Sequence, residues 1–89
     1  MLECQIEITN KKGLHARAAA KLINLTHNYD SEVVVIRGDD EVNGKSILGL
    51  LMLAAQKGSW LTIKVEGTDE DAAMGSIQNL IESKFEEME

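Results

Sequence analysis

The sequence predicts an α+β fold, an open-faced two-layer β-α-β-β-α-β-α sandwich whose four-stranded antiparallel sheet is covered on one face by three helices. Four segments are β-branched or alternate apolar with polar residues, and three others have the composition or apolar spacing of helices. Glycine, asparagine, serine and aspartate punctuate the boundaries, and the chain contains no proline, linker or internal repeat. At 89 residues, with 44% hydrophobic and 27% charged side chains, residues 1–89 are expected to form one domain with a packed core.

Leu2, Cys4, Ile6 and Ile8 alternate with Glu3, Gln5 and Glu7, as in a strand with one wet face. Asn10 and Gly13 mark residues 9–14 as a loop. Ala16 to His27 is alanine-rich, with Ala19, Ala20 and Ile23 at core spacing, and predicts a helix ending near Asn28. Glu32 to Arg37 is β-branched; Gly38-Asp39-Asp40 then signals a hairpin into a short edge strand, Glu41 to Asn43. Ser46 precedes an apolar run, residues 47–55, predicting a second helix with Ser46 as N-cap and Gly58 as its stop. Leu61, Ile63 and Val65 alternate with Trp60, Thr62, Lys64 and Glu66 in a fourth strand closed by Gly67. Thr68 and Asp71 have the spacing of a capping box, and Ala73, Ile77, Leu80, Ile81 and Lys84 repeat at helical spacing behind them.

Fifteen acidic against nine basic residues give a net charge of −6, which argues against nucleic-acid binding and favours basic protein partners. Cys4 has no partner for a disulfide, the first residues lack the pattern of a signal peptide, and no apolar run reaches membrane-spanning length. A cytoplasmic protein with no membrane insertion is expected. One cysteine and two distant histidines provide no zinc spacing, so neither a metal nor a cofactor is expected. Gly44-Lys45-Ser46 falls short of a nucleotide-binding loop, because Asp39 stands where the first glycine is needed and Asp39, Asp40 and Glu41 would repel phosphates. His27 is assigned to the end of the first helix, Cys4 to the core, and Trp60, at a strand start, to packing, with flanking an interface as the alternative. Glu86, Glu87 and Glu89 read as a solvated acidic tail.

The basic residues Lys11, Lys12, Arg17 and Lys21 bracket Gly13-Leu14-His15-Ala16-Arg17, where loop becomes helix. His15 is thereby placed at or beside an N-cap, against amides that have no intrahelical acceptor and at the positive end of the macrodipole. That field and the Arg17 guanidinium disfavour imidazolium and favour a neutral, nucleophilic ring. Arg17 could also fork onto the oxygens of a phosphoryl group. A histidine at a helix start is more often a surface or capping residue, and spacing alone leaves that alternative open.

Residues 8–22, Ile8-Thr9-Asn10-Lys11-Lys12-Gly13-Leu14-His15-Ala16-Arg17-Ala18-Ala19-Ala20-Lys21-Leu22, resemble the active-site segment of HPr, the histidine-containing phosphocarrier family of the phosphoenolpyruvate-dependent phosphotransferase system. Val42-Asn43-Gly44-Lys45-Ser46-Ile47-Leu48-Gly49-Leu50-Leu51 resembles the family's regulatory serine and docking helix, and the similarity runs through the chain without an evident insertion. The resemblance implies a covalent carrier rather than an autonomous enzyme. It would take a phosphoryl group from phosphorylated enzyme I onto Nδ1 of His15, with Arg17 and the Ala16 amide stabilising it, and pass it to IIA-type acceptors. It also implies a regulatory serine kinase acting on Ser46, although an N-cap role explains that serine equally. Leu14, Ile47, Leu48 and Leu51 would dock partners while Leu50, Leu53 and Ala54 turn into the core, although shallow burial of the helix's outer face against another element would explain its apolar residues equally, and the carrier would be monomeric. Ala18 stands where the family commonly has proline, and Lys12 where small polar residues are frequent. These leave open a sugar-uptake carrier, a nitrogen-branch carrier, or a regulatory binding module controlled through His15 or Ser46.

Overall fold

A computed structural model describes residues 1–87. Its elements run β1 (Leu2–Glu7), α1 (Ala16–Thr26), β2 (Glu32–Arg37), β3 (Asp40–Asn43), α2 (Ile47–Met52), β4 (Trp60–Glu66) and α3 (Glu70–Glu82), followed by a short turn, Lys84–Glu86. The four strands form one antiparallel sheet in the order β1-β4-β2-β3. β4 is the organising strand, since Ile63 faces Cys4 of β1 on one side and Val35 of β2 on the other. Because side chains alternate along a strand, this register puts Val33, Val35, Leu61, Ile63 and Val65 on the helix-covered face, where all five are buried. Each such aliphatic side chain contributes roughly 1.5–3 kcal/mol by leaving water. The helices cover this face as expected, giving the α+β sandwich read from the sequence.

Several local expectations shift. In α1 the buried stripe is Ala18, Ala19, Leu22 and Thr26, whereas Ala20 and Ile23 are only half-buried. Thr26 accounts for part of the rotation, because its hydroxyl donates to Gly44 O at 3.0 Å inside the fold. The second helix stops at Met52 rather than continuing to residue 55. Ala54 takes a left-handed conformation, φ 49°, and is exposed instead of buried; the turn it makes delivers Ala55 to the core in its place. At α3 the expected capping box does not form. Asp69 is the N-cap residue but makes no capping bond. Its carboxylate instead accepts from the Asp30 and Ser31 amides, at 2.8 and 3.0 Å, and from the Ser31 hydroxyl, fastening the α1–β2 connection to the start of α3.

Beyond α3 the chain turns the wrong way for L-residues. Lys84, Phe85 and Glu86 have φ of 58°, 56° and 61°, a left-handed turn built without glycine. Left-handed backbone costs about 1–2 kcal/mol per residue. Two contacts offset this cost: Phe85 is fully buried, and Lys21 Nζ donates to its carbonyl at 2.7 Å. Lys84, expected to extend the helical stripe, instead opens this turn because α3 ends at Glu82.

Candidate functional site

Gly13 makes the turn that presents the histidine. Its φ is 69°, and a Cβ there would lie 2.5 Å from Ala55 O and 2.9 Å from Gln56 Cα, so only glycine fits. The turn is closed by Gly13 N donating to Asn10 O at 3.1 Å and by Asn10 Nδ2 donating back to Gly13 O at 2.7 Å. Leu14 N then donates to Ala55 O at 2.8 Å, tying this turn to the segment that leaves α2. That geometry drives the Leu14 side chain inward to 4% exposure, so Leu14 is a core residue and not part of a docking surface.

His15 follows as the N-cap residue of α1 in extended conformation, φ −84° and ψ 179°, and its side chain does not cap the helix. The first intrahelical bond runs from Ala19 N to His15 O at 2.8 Å, so the amides of Ala16, Arg17 and Ala18 precede it and point outward at the positive helix end. The imidazole is partly accessible, its side chain 27% exposed. Arg17 lies exposed in the first turn, and among the described residues its guanidinium is held by no carboxylate or carbonyl. Ala16 is exposed beside it.

Glu87 lies against this site rather than in a solvated tail. The left-handed turn brings Glu87 back over the start of α1, where its Oε2 is hydrogen-bonded to His15 Nε2 while its Oε1 accepts from Asn10 Nδ2 at 2.8 Å. Only 13% of the Glu87 side chain is exposed. Partial burial is the largest influence on this carboxyl and pushes its pKa up. The hydrogen bonds from His15 and Asn10, with electrostatic attraction to His15 and Lys12, outweigh it and hold the pKa below the ordinary glutamate value. Asn10 is itself fully buried, and its Oδ1 has no hydrogen-bond partner among the described residues. Glu89, the other end of the expected tail, lies outside the described residues.

Sequence reasoning missed Asn10, Phe85 and Glu87. Asn10 was legible only as a loop residue, and Phe85, the only phenylalanine, gave a signal through its place in a run of charges that no surface tail requires.

Ser46 is the N-cap of α2, its Oγ accepting from Gly49 N at 3.1 Å. The helix buries Leu50 and, just past its end, Leu53, and turns the other face out: Ile47 is 45% exposed, Leu48 67%, Leu51 38% and Met52 73%. Met52 thus joins the apolar patch expected from the other three. His27 is exposed at the C-cap of α1, with Nε2 3.1 Å from Lys45 O. Trp60 is 60% exposed at the start of β4 instead of packed.

Residues 2–83 match the family model described as the PTS HPr component phosphorylation site. Across 89 residues the chain is 48% identical to the phosphocarrier protein HPr of Neisseria meningitidis serogroup A, covering all of both chains. It is 44% identical over 86 residues to the phosphocarrier protein NPr of Shewanella violacea, covering 97% of this chain and 94% of that one. Among solved structures, HPr-C-His from Thermoanaerobacter tengcongensis superposes with a TM-score of 0.96 at 40% identity, with both chains fully covered.

Proposed function

Since the chain belongs to the HPr family of phosphocarriers of the phosphotransferase system, we propose that it carries its phosphoryl group on His15, taking it from phosphorylated enzyme I and giving it to IIA-type acceptors in the cytoplasm. The observation that carries this reading is the placement of His15: a partly accessible imidazole at the N-terminus of an eleven-residue helix, whose first-turn amides have no intrahelical acceptor and whose Arg17 guanidinium is unpaired among the described residues. A phosphoryl group on Nδ1 gains the amides of Ala16 and Arg17 as donors, and the positive helix end complements its charge. Arg17 can swing onto its oxygens through paired charge-assisted hydrogen bonds, each worth roughly 1.5–3 kcal/mol. Transfer then depends on in-line positioning and charge stabilisation, which a docked partner completes. The chain is a substrate of its neighbours rather than an autonomous catalyst.

The exposed face of α2 is the proposed docking surface, formed by Ile47, Leu48 and Leu51 with Met52. Ser46 adjoins it, so a phosphate there would alter the charge that partners meet. Identity to both an HPr and an NPr supports a nitrogen-regulatory branch as the second reading of the same carrier chemistry.

Incubation with enzyme I, phosphoenolpyruvate and magnesium is expected to give an acid-labile, alkali-stable adduct that His15→Ala lacks. Labelling that persists in His15→Ala, or no labelling by a verified cognate enzyme I, removes the proposal. Arg17→Ala is expected to retain its melting profile while transfer slows; wild-type transfer rates would strip Arg17 of its assigned role.

A further inference from the structure

The contact between the C-terminal segment and the histidine ring is specific and elaborately supported. Phe85 anchors the left-handed turn in the core, Lys21 clamps the Phe85 carbonyl, and Glu87 N donates to Lys84 O at 3.1 Å. The carboxylate that results has one oxygen on His15 Nε2 and the other on Asn10 Nδ2. Asn10 Nδ2 also bonds Gly13 O, so the residue that orients Glu87 is the one that closes the turn presenting His15. Backbone held in a sparsely populated conformation to deliver one side chain to one ring nitrogen points to a role for that side chain. Other charged groups on these elements are Lys11 and Lys12 of the loop, Arg17 and Lys21 of α1, and Lys84 and Glu86 of the terminal turn.

We propose that Glu87 is a positioning residue for His15, holding the proton on Nε2 and covering that nitrogen, so that Nδ1 alone presents a lone pair for phosphoryl transfer. The proposal rests on the reading of His15 as the phosphoryl acceptor. A carboxylate can only accept, so the ring nitrogen facing it must donate. In a neutral imidazole the second nitrogen is then the unprotonated one. In the transfer step the Nδ1 lone pair forms the new N–P bond as the bond from phosphorus to the donor nitrogen breaks, its electron pair remaining on that donor nitrogen. The Nε2 proton stays on His15. The phosphorylated ring consequently carries a positive charge, which the Glu87 carboxylate balances until the group leaves again.

The test separates ring chemistry from partner recognition. Nitrogen-15 shifts of the His15 ring report the tautomer in the unphosphorylated protein, and chemical phosphorylation with potassium phosphoramidate, which needs no enzyme I, reports which nitrogen reacts. In the full chain, the ratio of Nε2–H to Nδ1–H tautomer and the ratio of Nδ1 to Nε2 product are each expected to fall several-fold in Glu87→Ala. Glu87→Gln, which retains an acceptor oxygen, is expected to restore most of both. Wild-type values of either ratio in Glu87→Ala, with His27 as the internal reference, overturn the proposal. Failure of enzyme I to label the wild-type protein would instead count against the carrier reading and leave both ratios unaffected.

Discussion

Gly13→Ala isolates the turn that presents His15. The new methyl would sit 2.5 Å from Ala55 O and 2.9 Å from Gln56 Cα, both backbone atoms, so no side-chain rotation can relieve the overlap. The residue must also hold φ near 69°, which costs an L-residue about 1–2 kcal/mol. Moving Ala55 O away stretches its 2.8 Å bond from Leu14 N, a loss of about 0.5–1.5 kcal/mol. Together these give about 1.5–3.5 kcal/mol, equivalent to a fall of roughly 6–28 °C in melting temperature for a domain of this size. Circular-dichroism melts of Gly13→Ala and Gly75→Ala, read together, check the reasoning. At Gly75, inside α3, a Cβ meets nothing within 4 Å, so that variant is expected to gain about 0.5–1 kcal/mol. A Gly13→Ala melting temperature within about 2 °C of wild type would refute the account, since the estimate spans about 4–8 °C per kcal/mol.

Three further outcomes follow from other contacts. Ser46→Ala removes the cap that accepts from Gly49 N and is expected to cost about 1 kcal/mol in urea unfolding while leaving phosphoryl transfer intact; unchanged stability would mean that the cap is idle. Leu48→Asp, at a side chain 67% exposed, is expected to change stability by less than about 0.5 kcal/mol yet raise the KM for the phosphoryl donor about tenfold. An unaltered KM would place docking elsewhere. Asp69 is held below its ordinary pKa chiefly by the Ser31 hydroxyl and also by the Asp30 amide, so its stabilising contribution is complete above the unfolded-state pKa and lost as pH falls through the lower folded-state value. The stability difference between wild type and Asp69→Asn, measured across pH, is therefore expected to be constant near neutrality and to shrink in acid; a difference independent of pH would reject that role.

The sheet was legible because its alternation is strict: Leu61, Ile63 and Val65 can face only one way once β4 is extended, and all three are buried. His15 at a helix start was legible for a similar local reason, since Gly13 and the alanines after Arg17 fix where loop becomes helix. Where the reading failed, distant contacts had overruled local pattern. Leu14 carries nothing in its neighbours to say that its amide is bound by Ala55, and an unbroken apolar run over 47–55 conceals the left-handed turn at Ala54. The acid at position 87 looks like solvent-facing charge beside Glu86 until Phe85 is seen to reverse the chain and carry its neighbour back across seventy-two positions to His15.

The place of β4 between β1 and β2 has a consequence for how the protein comes into being. Before residues 60–66 have been synthesised, β1 has no strand to pair with, and β2 has only the short hairpin partner β3. A ribosome that has made the histidine, its loop and two of the helices still holds a chain whose sheet cannot close. Such non-local closure is slow compared with helix formation. Folding is thus expected to commit only once residues 60–66 are available to join β1 to β2.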